Sequence, residues 1–333
     1  MIFNVLIVGL GKIGMSYDLE LDSKKYVYSH ASAFKQHPGF NLICGVDTDP
    51  QLSGFFEEKY GCRFYSDLEK ALRENEPDVV VIATSTKSHK KVIKSVIKYS
   101  HPKMILCEKP LSYSLQEANE IVTLCKNKNI KLFVNYIRNS DPNIIEIRRK
   151  INSNEYAGYA KGVVWYSKGL IHNGSHFINL MEYWLGPILG NNCINKGRLF
   201  NDQDLEPDFS LTFKKGEIIF LSAREENFSH YTIEIIFENG RLKCDQGCED
   251  IKWTPVSINE NLSDYRVLSS NGIESYHRSM DKYQLNVTNE LYNYLTNRNY
   301  ELCSGKMAIS TLKSINKIIK DCNEKSSFGN TWW

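Results

Sequence analysis

The chain has no apolar run near the roughly 18 residues that a membrane span requires, so no transmembrane helix is expected. It has no excess of either charge. Lys and Arg total 41 against 39 Asp and Glu, and a formal net charge of +2 gives no global electrostatic reason to bind nucleic acid. The basic cluster Lys87-Ser88-His89-Lys90-Lys91 is local, and reads as a solvated helix face or a contact for a ligand phosphate. The apolar start Met1–Leu10 lacks a basic leader and a cleavage site, which makes it a strand rather than a signal peptide. Zinc spacing is absent too. Cys244-x-x-x-Cys248 is the one close cysteine pair, nothing nearby completes four ligands, and no H-E-x-x-H occurs, so no metal is expected. The nine cysteines are odd in number and scattered, which reads as reduced thiols and a cytoplasmic protein. No repeat or low-complexity linker divides the chain. Its 333 residues, 42% hydrophobic and 24% charged, suit two globular domains.

What is present starts at the N-terminus. The β-branched run Asn4–Val8 leads into Gly9-Leu10-Gly11-Lys12-Ile13-Gly14, a G-x-G-x-x-G pattern placed after a strand and expected to open a helix. In that setting Gly9 makes the tight turn, Gly11 leaves room for a pyrophosphate, and Gly14 lets the helix approach the sheet. The amides of the helix start, including those of Lys12 and Ile13, then face the phosphates. A polar stretch, Asp18–Lys25, reads as an insertion before helical pattern resumes at Ser29.

Strands are expected at 41–46, 62–64, 78–83, 104–107 and 132–134, with helices at 50–60, from Asp67, at 89–97 and at 115–126. This alternation predicts a doubly wound parallel sheet over residues 1–137. From residue 138 the rhythm changes. A helix (143–150), a strand (159–166) and an apolar helix (177–185) precede short strands at 208–213, 217–222, 231–237, 241–244 and 251–257. Asn239-Gly240 signals a type I′ hairpin. Helices at 276–295 and 307–321 close a second α+β domain, residues 138–333, with a mostly antiparallel open sheet. Ile218, Phe220, Ile233, Ile235 and Phe237 offer an apolar face, either for another subunit or for this domain's own helices. The tail from Asn323 reads as loose, with Trp332 and Trp333 able to dock.

Chemistry-bearing residues gather at expected strand ends. Asp47 closes the second strand, where a carboxylate accepts hydrogen bonds from the adenosine ribose of NAD; Thr48 and Asp49 beside it offer no arginine for the 2′-phosphate of NADP. Asp47 also suits a cap on the next helix. Thr84, Ser85 and His89 follow the 78–83 strand and can line a cofactor, although His89 equally suits a helix start. Glu108-Lys109-Pro110 follows the next strand; the pair reads either as surface charge or as an ammonium that stabilises a developing alkoxide. His172-Asn173-Gly174-Ser175-His176 offers proton exchange, metal ligation or a structural turn. Tyr136, Arg138 and Lys168 sit near strand ends, suited to substrate hydroxyls, a carboxylate or a phosphate.

Gly9–Gly14, Glu108-Lys109-Pro110, Asn135-Tyr136-x-Arg138 and Gly174-x-His176 together resemble the glucose-fructose oxidoreductase / inositol 2-dehydrogenase / rhizopine-catabolism (Gfo/Idh/MocA) family. The resemblance implies an N-terminal Rossmann domain, a C-terminal open sheet, and a homodimer or homotetramer built through that sheet. It further implies oxidation or reduction of a sugar, inositol or nucleotide-sugar hydroxyl with NAD or NADP, Lys109 and His176 being catalytic. His172 stands where many members carry aspartate, and Asn179 where a second aspartate is common. The expected activity is therefore NAD-dependent hydride transfer on a sugar derivative, possible substrates including a nucleotide sugar of a surface-polysaccharide pathway. The alternatives are an inositol or polyol dehydrogenase, and a non-catalytic NAD or sugar sensor.

Overall fold

Strands covered on both faces are apolar throughout, and Val79–Ile82 (β4) and Met104–Cys107 (β5) are buried along their whole length. They lie in a computed structural model that describes residues 1–262, 264–276 and 278–325, the side chain of Lys325 excepted; Trp332 and Trp333 fall outside the described residues. With β1 (Phe3–Val8), β2 (Phe40–Val46), β3 (Arg63–Tyr65) and β6 (Lys131–Val134) they form a six-stranded sheet in the order β3-β2-β1-β4-β5-β6. Every pairing in it is parallel. The order reverses between β1 and β4, so their carboxyl ends diverge and open a crevice. Helices α1 (His30–Gln36), α2 (Leu52–Tyr60), α3 (Leu68–Glu74), α4 (His89–Tyr99) and α5 (Leu115–Asn127) make the crossovers. Ser29, Asp67 and Ser114 cap α1, α3 and α5 through side-chain oxygens.

The glycine run does not open an α-helix directly, as the spacing predicts. It makes a single turn, with the Met15 and Ser16 amides donating to the Gly11 carbonyl at 2.9 and 3.1 Å. The chain then departs and returns at α1, whose first amides, His30 and Ala31, donate to the carbonyls of Ile13 and Gly14 at 3.0 and 2.9 Å. The crossover helix is thus spliced, and the excursion is longer than the expected 18–25. Buried Asp18 closes it, accepting from the Tyr28 amide (2.8 Å), the Ser29 amide (2.9 Å) and the Ser29 hydroxyl (2.6 Å).

A second, nine-stranded sheet follows α6 (Pro142–Asn152). Its strands are β7 (Ala160–Tyr166), β8 (Ile188–Phe200), β9 (Asp204–Phe213), β10 (Gly216–Ser222), β11 (Thr232–Phe237), β12 (Gly240–Asp245), β13 (Asp250–Ile258), β14 (Arg266–Leu268) and β15 (Glu274–Tyr276), with α7 (Ser175–Leu185) between β7 and β8. The order is β14-β13-β12-β11-β7-β10-β9-β8, with β15 on β13; only β7 and β10 pair in parallel. Strands β8, β14 and β15 lie outside the strands that the sequence pattern predicts. The β11–β12 hairpin forms, but its turn is Glu238-Asn239, since Phe237 pairs with Gly240. Neither Asn239 nor Gly240 has positive φ, so the expected type I′ turn is replaced. Gly240 is needed for packing instead, because a Cβ there would stand 2.3 Å from the Trp253 ring.

Ile218, Phe220, Ile233, Ile235 and Phe237 are all buried, which removes them as a face for another subunit. The alternate residues of the same strands face outward. Trp165 and Ile236 are exposed, and Val163, Ile219 and Leu221 partly so.

The chain divides into two compact units, Met1–Asp141 with Asp281–Ser310, and Pro142–Met280 with the chain from Thr311 onward. This differs from one cut at 137/138. Helix α8 (Tyr283–Leu295), expected to start at Tyr276 within the second domain, belongs to the first unit, where Val287 and Leu291 join the core of Phe3, Phe34 and Phe40. Helix α9 (Gly305–Lys325) begins in one unit and ends in the other. In the second unit Cys193 of β8 and Cys322 of α9 form a disulfide, Cα atoms 5.2 Å apart. That overturns the expectation of nine reduced thiols; a pairing 129 residues apart in sequence leaves no local signal.

Candidate active site

In the first unit the glycine loop joins β1 at the reversal of strand order. Gly9 has φ +95°, and a Cβ on it would stand 2.6 Å from the backbone of Ala83 at the end of β4. At Gly14 a Cβ would stand 2.0 Å from the Gly9 carbonyl oxygen, so the turn closes on itself only with glycine. Gly11 is different. It is exposed, and nothing lies within 4 Å of the Cβ position, which leaves a cradle that a side chain would fill. Lys12 is exposed beside it and Ile13 partly so. Asp47, at the end of β2, fastens this loop by accepting from the Leu10 amide at 2.7 Å through Oδ2, while Oδ1 takes the Asp49 amide at 3.0 Å. Both oxygens retain acceptor capacity.

Thr84 and Ser85 follow β4 at the same edge, with the Ser88 hydroxyl donating to Thr84 Oγ1 at 2.9 Å. His89 departs from its expected place as a cofactor ligand. It is 1% exposed, and its ring nitrogens face the carbonyls of Leu111 (3.2 Å) and Thr84 (3.1 Å), so it ties two loops together.

Glu108 and Lys109 follow β5, and the Lys109–Pro110 bond is cis. Glu108 Oε1 receives Asn135 Nδ2 at 2.6 Å and lies 2.8 Å from His30 Nε2; Asn135 Nδ2 also reaches Gln284 Oε1 at 3.3 Å. Burial pushes the Glu108 carboxyl up, but the hydrogen bond and charge of His30, the Asn135 amide and the Lys109 charge together hold it below the usual range. Tyr136 and Arg138 lie just beyond β6 in this unit, both buried.

In the second unit, residues Gly169–Gly174 form a π-helical turn that leads into α7. Two carboxylates of β9 hold its start. Asp204 accepts from the amides of Ile171 (3.0 Å) and His172 (2.8 Å), and Glu206 from that of Gly169 (3.0 Å). Burial pushes the Asp204 carboxyl up against the lowering effect of those amides. His172 is exposed, whereas His176, on the first turn of α7, is 9% exposed. Buried Asn179 donates to the Thr311 hydroxyl at 2.9 Å. Lys168 has positive φ, and its ammonium pairs with the Glu225 carboxylate at 3.0 Å, an acceptor that the sequence did not reveal. Sequence reasoning also missed His30, Gln284, Asp204 and Glu206. Only Asp204-x-Glu206 left a trace, two carboxylates on one face of a strand. Among the described residues no group of three or more His, Cys, Asp or Glu is arranged to hold a metal.

A parallel sheet in this order with a glycine cradle at its reversal defines a dinucleotide-binding domain. Residues 3–136 match the Gfo/Idh/MocA family model, described as oxidoreductase family, NAD-binding Rossmann fold. The chain is 25% identical over 181 residues to an uncharacterized oxidoreductase of Streptococcus pneumoniae, covering 47% of this chain and 48% of that protein. It is 24% identical over 170 residues to an inositol 2-dehydrogenase of Rubrobacter xylanophilus, covering 51% and 47%. The matched stretches thus span about half the length of these curated relatives. Over 98% of both chains it superposes on the WlbA dehydrogenase of Bordetella pertussis, solved with NADH and UDP-GlcNAcA, with a TM-score of 0.72 at 16% identity. That likeness shows a shared fold across both units.

Proposed function

We propose that the protein is an NAD-dependent oxidoreductase moving hydride to or from the carbon that bears a secondary hydroxyl or ketone of a sugar derivative, in first place a nucleotide-linked sugar. The observation that carries this is the open cradle at Gly11 within a domain of the NAD-binding family, with Lys109 at the same sheet edge. Bound NAD supplies the hydride acceptor or donor at its nicotinamide. Gly9, Gly11, Lys12, Ile13 and Gly14 receive the pyrophosphate, Asp47 the ribose hydroxyls, and Thr84 and Ser85 line the cofactor. The Lys109 ammonium hydrogen-bonds the reacting oxygen and stabilises its alkoxide charge. His176 takes or returns the hydroxyl proton. Tyr136, Arg138 and His172 contact substrate; Lys168 contributes from its pair with Glu225.

The nucleotide-sugar preference draws on the neighbour solved with UDP-GlcNAcA. An inositol substrate is the second reading, favoured by relatives that carry that name. Calorimetric titration with NAD and NADP, followed by turnover on UDP-sugars and free polyols, tests the proposal. NAD binding tighter than NADP and hydride transfer with a UDP-sugar support it; no affinity for either cofactor overturns it, and turnover restricted to inositol moves the substrate to the second reading. We also assign self-association to the outer sheet face around Trp165, Leu221 and Ile236. Sedimentation of wild type as a dimer or tetramer, and of Trp165→Glu as a monomer, is the expected outcome; a wild-type monomer refutes it.

A further inference from the structure

The spliced crossover helix brings one unassigned side chain against the candidate chemistry of the first unit. His30 is the first residue of α1 and is 1% exposed. Its amide donates to the carbonyl of Ile13 in the glycine loop at 3.0 Å, while its Nε2 lies 2.8 Å from Glu108 Oε1 in the loop after β5. A single residue therefore grips both the loop proposed to hold the pyrophosphate and the loop that carries Lys109. Its placement is itself fixed, because Asp18 binds Ser29 and Ser29 caps the Ser32 amide.

We propose that His30 is a positioning residue that clamps the glycine loop to Glu108 and, through that carboxylate, sets the placement and charge environment of Lys109. Asn135 Nδ2 shares Oε1 with His30, so both side-chain donors sit on one oxygen and Oε2 remains on the Lys109 side, 3.4 Å from the Lys109 amide. The groups that face Glu108 electrostatically are His30 from α1, the neighbouring Lys109 and Cys107, and Tyr283 from α8. Of these, Lys109 brings positive charge, and His30 brings a ring nitrogen 2.8 Å from Oε1. Without the His30 donor the carboxylate keeps Asn135 alone as a side-chain anchor on Oε1 and is free to move from Lys109, so its negative charge is less well placed beside the ammonium.

The catalytic part of this inference rests on the hydride-transfer role proposed for Lys109; the electrostatic part does not. The test compares His30→Gln, whose amide reaches the same oxygen, with His30→Asn, which is too short. Reductive ¹³C-methylation of the full-length protein without cofactor, followed by NMR titration, reads the Lys109 midpoint. We expect His30→Asn to lower that midpoint by about half a pH unit or more and His30→Gln to keep it near wild type, with Lys98 unmoved in both. With NAD and substrate, kcat in His30→Asn is expected to fall at least ~10-fold while NAD affinity changes less than ~3-fold, and His30→Gln recovers most of the loss. A Lys109 midpoint and kcat unchanged in folded His30→Asn overturn the proposal, as does a Gln variant as impaired as Asn. Should His30→Asn not fold, an unmoved Lys109 midpoint in Glu108→Gln overturns it instead. Absence of hydride transfer by wild type refutes the proposed function and leaves the Lys109 midpoint as the judge of His30.

Discussion

Each unit fastens a chemistry-bearing loop with a partly buried carboxylate, and the two carboxylates are treated oppositely. Glu108 in the first unit is met by side chains, His30 and Asn135, and by the charge of Lys109; these overcome burial and favour the ionised form. Asp204 in the second unit is met by backbone amides of Ile171 and His172, and there burial prevails. Peptide amides carry no net charge, whereas Lys109 adds its charge beside the two side-chain hydrogen bonds to Glu108. The first loop is therefore held electrostatically, and the second by geometry, with Gly169 pressed so close that a Cβ would stand 2.2 Å from Asp204 Oδ2.

The sharpest way to test the first half is to separate fold from cofactor within the glycine loop. Gly14→Ala should abolish NAD binding and destabilise the first unit, because its Cβ meets the Gly9 oxygen at 2.0 Å. Gly11→Ala should fold with a near-wild-type thermal midpoint, since no atom stands within 4 Å, and still lose NAD affinity by calorimetry. Equal affinity for NAD in Gly11→Ala would remove the pyrophosphate from this cradle. Next in size come the proton-transfer groups. His176→Asn should lower kcat by about 10²-fold with NAD affinity little changed, and Lys109→Met should be as severe. A wild-type rate for His176→Asn shifts the proton to His172 or Lys109.

The first unit was far more legible in the sequence than the second. Strands β4 and β5 are short unbroken apolar runs between polar loops, and the apolar run 104–107 coincides with the bounds of β5. The glycine pattern and Glu108-Lys109 are local signals, so Gly9, Gly11 and Lys109 could be nominated without coordinates. His30 could not, because its partner is 78 residues away and meets it only once the excursion has closed on Asp18. In the second unit, β8 was invisible. Its burial does not alternate, and its register against β9 shifts three times, which erases the period-two pattern. The outer-face error has the opposite cause. Ile218, Ile233 and Ile235 announce strands correctly, but a strand pattern alone does not say which face its own helices cover.

A moderate effect is expected at the second anchor. Asp204→Ala removes the acceptor for two amides and should cost about 1–3 kcal/mol in urea unfolding. It should also impair turnover more than NAD binding, because the turn that leads to His176 loosens while the glycine loop keeps Asp47. NAD affinity reduced as much as turnover would show that this anchor is not specific to the second unit.

The smallest effect, a pair of pH slopes, decides whether the two carboxylates really differ. Glu108 is lowered in the folded chain, so the stability it contributes is present above the ordinary glutamate value, near 4.3, and is lost as pH falls through its lower folded value. Asp204 is raised, so its contribution is fully present below the ordinary aspartate value, near 3.9, and is lost as pH rises through its higher folded value. Urea midpoints of wild type, Glu108→Gln and Asp204→Asn between about pH 3 and 7 isolate these terms, since each neutral variant keeps every other titrating group. Wild type minus Glu108→Gln should decline toward acid, and wild type minus Asp204→Asn should decline toward neutral pH. Opposite slopes support side-chain charge holding one loop and fixed amides the other. Parallel slopes would mean that burial governs both anchors alike, and would withdraw the electrostatic distinction between the two units while leaving their hydrogen-bond geometry unchanged.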